Sequence, residues 1–120
     1  GKGIYKGKRY LSENAMTYLT SVKTGELDCG FLQEAQYGNL GANYGWGVGT
    51  CILRIPHPGV AAMLSPGSFG HGGAWGTQAW IDPVRDIAYI MMIQRPNFNS
   101  DASNIRAEFQ QKAFDELAIK

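Results

Sequence analysis

Ile87-Ala88-Tyr89-Ile90-Met91-Met92-Ile93 is a run of seven residues without a charge, a glycine or a proline. Strand side chains alternate between the two faces of a sheet, so a run that is apolar at every position leaves neither face fit for water. A helix covering each side of a sheet would meet this requirement. The rest of the chain has to supply both covers.

The residues before the run read as its hairpin partner. A strand is predicted over 68–81, a turn over Asp82-Pro83-Val84-Arg85-Asp86 and a second strand over 87–95. After it, Asn99 or Ser100 can cap a helix over 101–118, with Ile105, Phe109, Ala113 and Leu117 on one face and Phe114 flanking them. Towards the N-terminus, Ser12 is a good cap for a helix over 13–23. Leu11 can pack on Met16 as a staple, Lys23 lies in the last turn, and Gly25 just beyond suits the left-handed position. The first ten residues read as a lead-in loop or short turn, and 26–43 as a long connecting loop.

Residues 44–55 read as one further strand. Tyr44, Trp46 and Val48 alternate with Gly45, Gly47 and Gly49, and a face stripped of side chains lets a helix, another backbone or a ligand approach closely. Pro56-His57-Pro58-Gly59 ends it, which places His57 in a surface loop. The expected architecture is α+β: an antiparallel sheet around the hairpin 68–95, with helix 13–23 on one face and helix 101–118 on the other.

Composition closes off several function classes. At 120 residues the chain holds one domain. Eleven Lys and Arg against ten Asp and Glu give a net charge of +1, too little to grip a phosphate backbone, so no nucleic-acid partner is expected. No apolar run reaches the roughly 18 residues that span a bilayer, so no membrane span is expected. Two histidines, with no H-x-x-x-H or C-x-x-C spacing anywhere, argue against a metal site. Gly45-x-Gly47-x-Gly49 lies inside a strand pattern rather than opening a helix, so it is no nucleotide loop. No cofactor is expected. Cys29 and Cys51 imply no disulfide scaffold and read as small buried hydrophobes.

Polar chemistry, glycine and strand pattern coincide in Gly70-His71-Gly72-Gly73-Ala74-Trp75-Gly76. Glycines at 70, 72, 73 and 76 would let a substrate approach the backbone, whose N–H groups can face an anion. The alternative is a hairpin whose glycines relieve crowding and whose histidine satisfies a local carbonyl.

Phe69-Gly70-His71-Gly72-Gly73, followed by a strand, an Asp-Pro turn and an apolar strand, resembles the third signature motif of the serine β-lactamase and penicillin-binding-protein superfamily. The form is that of its class C-like and esterase branch, which often writes the Lys-Thr-Gly box as His-x-Gly. Gly7-Lys8-Arg9-Tyr10-Leu11-Ser12-Glu13-Asn14-Ala15 is similar to the family's segment leading into a late helix, and Tyr44-Gly45-Trp46-Gly47-Val48 to the strand before the box. The resemblance covers nearly the whole chain, in family order, and implies that residues 1–120 are a single partial domain, the C-terminal part of a catalytic domain.

It also implies roles. The box lies on the strand edging the active site; His71 would enter the substrate and general-base network, Gly72 and Gly73 would complete the box, and the Ala74 N–H would form half of the oxyanion hole. An imidazole is mostly uncharged near neutral pH where the lysine of the box is an ammonium, which tilts the parent towards an esterase or peptidase. Lys23-Thr24-Gly25 is a literal box but falls at a helix end, where it reads as capping, and Tyr37-Gly38-Asn39, a literal Tyr-x-Asn, lies out of family order. The family's Ser-x-x-Lys is missing: none of Ser12, Ser21, Ser65, Ser68, Ser100 and Ser103 has a lysine three residues on. Covalent catalysis needs that activated nucleophile, so the chain alone should be inactive, with small-molecule acyl substrates only if the N-terminal part is supplied.

Two further expectations follow. The family's setting implies a periplasmic or extracellular location. Strand 87–95 would lose the neighbour that the N-terminal part of the domain supplies, so its apolar edge, carrying no Lys or Pro within 87–93, should pair with a second copy in a homo-oligomer. The alternative on the same chemistry is a non-catalytic α+β module for binding or oligomerisation, or a monomer in which 44–55 folds back over that edge.

Overall fold

A computed structural model describes residues 1–29, 33–34, 38–59, 62–95 and 105–118. The chain opens with a small hairpin of β1 (Ile4–Tyr5) and β2 (Lys8–Arg9), followed by α1 (Glu13–Leu19). A short ladder of β3 (Gln33–Glu34) and β4 (Gly38–Asn39) and a 3-10 turn at Gly41–Asn43 lead into the main sheet. That sheet has five antiparallel strands in sequential order, β5 (Tyr44–Trp46), β6 (Cys51–Leu53), β7 (Phe69–Gly72), β8 (Gln78–Asp82) and β9 (Ile87–Met91). Helix α2 (Ile105–Ala118) ends the described chain. The fold is α+β. Among the described residues no helix is long and apolar enough to cross a membrane.

Two expected strands are hairpins. Residues 44–55 break at Gly47, whose N–H donates to the Thr50 carbonyl, and Gly49 takes φ +81°, so β5 and β6 pair antiparallel. Residues 68–81 break in the same way: Gly73 N–H donates to Thr77, Gly76 N–H to Gly73, and Gly76 sits at φ +88°. Glycine's freedom at positive φ outweighs an alternating pattern that would otherwise run straight through. The opening segment is likewise a hairpin, with Lys6 and Gly7 both at positive φ, the signature of a tight type I′ turn.

Helix α1 starts where expected, the Ser12 hydroxyl accepting from Ala15 N–H, but it stops at Leu19. Thr20 turns its hydroxyl back onto the Met16 carbonyl, and the next residues join the edge of the sheet instead. Lys23 N–H donates to Trp46 O, Trp46 N–H donates to the Thr24 hydroxyl, and Val48 N–H reaches Leu19 O. Lys23-Thr24-Gly25 is therefore not a helix cap; it runs beside β5. Gly25, at φ +54°, belongs to the turn that follows.

Register assigns the two faces. Cys51, Gly70, Trp80 and Tyr89 lie in one row across β6 to β9, and their face carries the core with Leu53, Tyr44, Leu64, Leu40 and Cys29. Strand β8 shows the period of two without exception: Gln78, Trp80 and Asp82 are buried, Ala79 and Ile81 exposed. Phe109 and Ala113 of α2 pack on this face. Only the middle of the expected stripe, Phe109 and Ala113, is held there: Ile105 and Leu117 are exposed, and Gln110 is the helix's most buried side chain. The Arg85 guanidinium lies 5.3 Å over the Phe114 ring, holding that flank. The expected cap at Asn99 or Ser100 lies outside the described residues.

On the opposite face, Gly45 shares a row with Ile52, Phe69, Ile81 and Ala88. A Cβ at Gly45 would come 2.6 Å from Val22 Cγ1, and one at Gly47 would come 2.7 Å from Leu19 O. The stripped glycine face thus accommodates the end of α1, and the two helices lie on opposite faces. The cover is partial, however. A cleft of about 730 Å³ separates Met16, Thr17 and Thr20 of α1 from Phe69, Ile81 and Ala88, and Ile90 is 58% exposed. The expectation that strand 87–95 is enclosed on both sides holds for Tyr89 and fails for Ile90.

His57 is not a surface residue. It is buried, with Nε2 2.6 Å from the Tyr44 hydroxyl and Nδ1 2.6 Å from its neighbour's carbonyl at Pro58. A carbonyl only accepts, so Nδ1 carries the hydrogen and Nε2 accepts from Tyr44. The pair gives an otherwise costly buried imidazole both of its partners.

Asp82 fixes the turn between β8 and β9. Its buried carboxylate accepts from the N–H groups of Ser65 (2.9 Å), Val84 (2.9 Å) and Arg85 (3.0 Å), with the Arg85 guanidinium at 3.4 Å. Burial by itself would raise this carboxyl, but the hydrogen bonds from Ser65, Arg85 and Val84 outweigh it and hold Asp82 below the ordinary carboxylate value. A depressed folded-state value means that the stabilisation is complete above the unfolded-chain value near 4 and is lost as pH falls through the lower folded value. Asp82→Asn should cost about 2 kcal/mol at pH 7, and chemical denaturation between pH 6 and pH 3 should show a shallower loss in the variant than in the parent chain.

Candidate active site

The segment Gly70-His71-Gly72-Gly73-Ala74 leaves the sheet at a step in its outline. Strand β7 pairs with β8 through four residues, from Phe69↔Ile81 to Gly72↔Gln78, but with β6 only at Phe69 and Gly70. Past Gly70 its β6 side has no ladder partner among the described residues, because β6 begins at Cys51 and the turn 47–50 lies beyond. His71 to Ala74 therefore stand at a local edge inside a five-stranded sheet.

His71 is exposed and held from two directions. Its Nδ1 is in contact with the Gly72 carbonyl, which can only accept, so Nδ1 carries a hydrogen. The imidazole stacks on Trp46, with ring centroids 5.4 Å apart and planes 28° from parallel. Trp46 is positioned by Lys23 and Thr24 through its own backbone, so the chain before β5 indirectly orients His71.

The four glycines have separate reasons. A Cβ at Gly70 would collide with Ala79 O and lie 2.9 Å from the Trp80 ring. One at Gly73 would collide with the Thr77 hydroxyl, and Gly76 needs its positive φ for the turn. Packing and turn geometry account for these three. Gly72 alone has room, its nearest neighbour being Arg106 Nη1 at 3.6 Å.

The backbone donors differ in the same way. Gly73 N–H is spent on the Thr77 carbonyl inside the turn. Ala74 N–H donates to no backbone carbonyl among the described residues, and Ala74 is exposed. An N–H without a backbone acceptor, three residues after a histidine on the same strand end, can stabilise a developing oxyanion.

Two contributors escaped sequence reading. Trp46 stands out in the sequence as a member of an alternating strand and of the segment that resembles the strand before the box, and nothing in either links its side chain to His71. Arg106 lies far along the chain on α2 and docks on Gln78; with the amide oxygen of Gln78 turned towards it, both Nε and Nη1 donate at 2.6 Å. No sequence signal marks that pair.

The serines are occupied elsewhere. Ser12 caps α1, Ser21 bonds the Tyr18 carbonyl, Ser65 meets Asp82 and Ser68 is fully buried. Ser100 and Ser103 lie outside the described residues, as does Tyr37 of the Tyr-x-Asn match. Among the described residues no group of three or more His, Cys, Asp or Glu side chains could hold a metal ion.

An α+β layer carrying a His-Gly-Gly strand, followed by an Asp-Pro turn and an apolar strand, resembles the corresponding part of a serine β-lactamase-type domain. The Beta-lactamase family model matches residues 6–113, and the chain belongs to that family of serine hydrolases. A search of curated proteins found no match.

The glycine geometry separates packing from access. Gly70→Ala should lower stability by about 1–3 kcal/mol through its clash with Trp80 and Ala79, while Gly72→Ala should change it by less than about 1 kcal/mol in either direction. Thermal unfolding of the two variants checks this ordering.

Proposed function

We propose that this chain is the C-terminal part of a β-lactamase-like serine hydrolase of the class C and esterase branch, acting in acyl transfer on a β-lactam, a D-Ala peptide or an ester. The observation that carries the reading is the Ala74 N–H, which has no backbone acceptor among the described residues at the end of a box strand whose neighbouring Gly73 N–H is already used. In this reading the Ala74 N–H receives the developing oxyanion. His71, through Nε2, joins the substrate and general-base network, while Gly72 and Gly73 keep the approach to the backbone open. A histidine in place of the lysine of the box favours an ester or peptide over a substrate that needs a lysine charge for its carboxylate. The nucleophile is supplied by a Ser-x-x-Lys segment that is not among these 120 residues.

The isolated chain should hydrolyse neither nitrocefin nor short p-nitrophenyl esters above the buffer rate, because members of a catalytic unit act together and a lone oxyanion donor cannot replace the nucleophile. Intact-mass analysis showing a serine of this chain acylated by a penicillin would overturn the reading. In a protein that also carries the Ser-x-x-Lys segment, Ala74→Pro removes the donor and should lower kcat by about 10²-fold or more.

A second reading, a binding or oligomerisation module, draws on strand β9. It is the last strand of the sheet, the alternative fold-back of 44–55 does not cover it, and β5 forms the opposite border. Ile90 and Met92 are exposed beside that edge. Antiparallel pairing of β9 with its copy would extend the sheet and satisfy the ladder. Sedimentation at tens of micromolar should give a mass above that of the 13.1 kDa chain; a concentration-independent monomer mass would overturn the homo-oligomer.

A further inference from the structure

Cys29 and Cys51 meet inside the core. They come from different parts of the chain, Cys51 opening β6 and Cys29 ending the segment after α1, yet each is 1% exposed and both belong to one packed cluster. Their thiols hydrogen-bond to each other, the Cys51 S–H donating to Cys29 sulfur. Both backbones are fixed: Cys51 pairs with Trp46 on one side and Gly70 on the other, and Cys29 N–H donates to Gly41 O at 3.0 Å. Arg54 draws the two segments together, its guanidinium bonding the carbonyls of Gly25 and Leu27.

We propose that Cys29 and Cys51 close an intramolecular disulfide when the chain folds under oxidising conditions, clamping the segment after α1 to strand β6. Two thiols suffice for this bond, whereas a structural zinc site needs four ligands and no third one is present among the described residues. The oxidant is a small disulfide such as oxidised glutathione. Cys29 thiolate attacks one of its sulfurs and expels a thiolate, which takes up the proton that Cys29 lost. Cys51 then loses its proton, and its thiolate attacks the Cys29 sulfur of the mixed disulfide, expelling the second small thiol. Two protein thiols lose two electrons and two protons, and one small disulfide gains them.

The folded surroundings oppose closure in the native chain. Burial raises both thiols, but the Arg54 guanidinium and the Cys51 S–H favour charge on Cys29, while Cys51 is pushed up to about 12. The folded chain therefore offers almost no thiolate and no path for glutathione. Closure belongs to folding, when the thiols are still open to solvent.

The experiment compares two samples of the 120-residue chain in one glutathione redox buffer: one refolded from denaturant, the other kept native throughout. After refolding, the intact mass should be about 2 Da lower and no maleimide should add on subsequent denaturation. The native sample should react at least tenfold more slowly. The bridge closes a loop of about 20 residues, so the oxidised chain should melt about 10 °C above the reduced one. That difference should vanish in the double variant Cys29→Ala, Cys51→Ala. Two maleimide additions after oxidative refolding, disulfide-linked dimers in place of the internal bridge, or a lower melting temperature on oxidation would each overturn the clamp. Equal rates for native and refolding chain would overturn its coupling to folding.

Discussion

The Trp80 indole lies against the backbone of Gly70, in the space a side chain there would occupy. This contact joins the central strand β7 to its neighbour β8, and the rest of the core is arranged around it. Tyr89 sits beside Trp80 in the same row, Cys51 lies beyond Gly70, and the Tyr44 ring reaches within 5.9 Å of the indole. Aromatic bodies of this size dominate the buried area of a small domain, so the residue at 70 must be the smallest available. The site inherits that constraint. His71 points away from the core because Gly70 faces it, and Gly72 faces α2 because the period of two returns.

Period and capping made much of this legible beforehand. Ser12 announces the start of α1, the Asp82-Pro83 turn falls where expected, and β8 alternates as a half-buried strand should. The failures share a cause, which is that a one-dimensional pattern cannot tell a strand from a hairpin when the turn is made of the same glycines that thin the strand. Gly47 and Gly49 looked like positions on a face, and Gly73 and Gly76 like an open binding surface, yet both pairs close turns. Tertiary partners account for the remainder. α1 ends early because Lys23 and Thr24 find hydrogen bonds on β5. His57 turns inward because Tyr44 offers a hydroxyl. The buried side of α2 keeps only Phe109 and Ala113 of the expected stripe and takes in Gln110, where packing against the sheet outweighs the apolar spacing.

The candidate site was legible as a string and not as a neighbourhood. Residues 70–74 are contiguous, so a motif could mark them. Trp46 and Arg106, which stack on His71 and approach Gly72, come from elements far along the chain, and single-sequence patterning holds no record of that proximity. The β-lactamase family match adds chemistry that position alone does not carry, because the glycines at 70, 73 and 76 are explained by packing or turn geometry.

A hairpin with a crowded neighbour would need those same three glycines, so they do not distinguish a catalytic strand from an inert one. The donors discriminate better. A turn that consumed both N–H groups would leave no backbone donor there, whereas this one spends Gly73 and leaves Ala74 without a backbone acceptor among the described residues, at the point where pairing with β6 has ended. Cys51 pairs with Gly70, so lengthening β6 by one residue would set Thr50 opposite His71 as a ladder partner and close the opening. The early turn at 47–50 thus serves two ends. It lets α1 pack against Gly47 through the Leu19 carbonyl, and it keeps the backbone after His71 clear of a neighbouring strand.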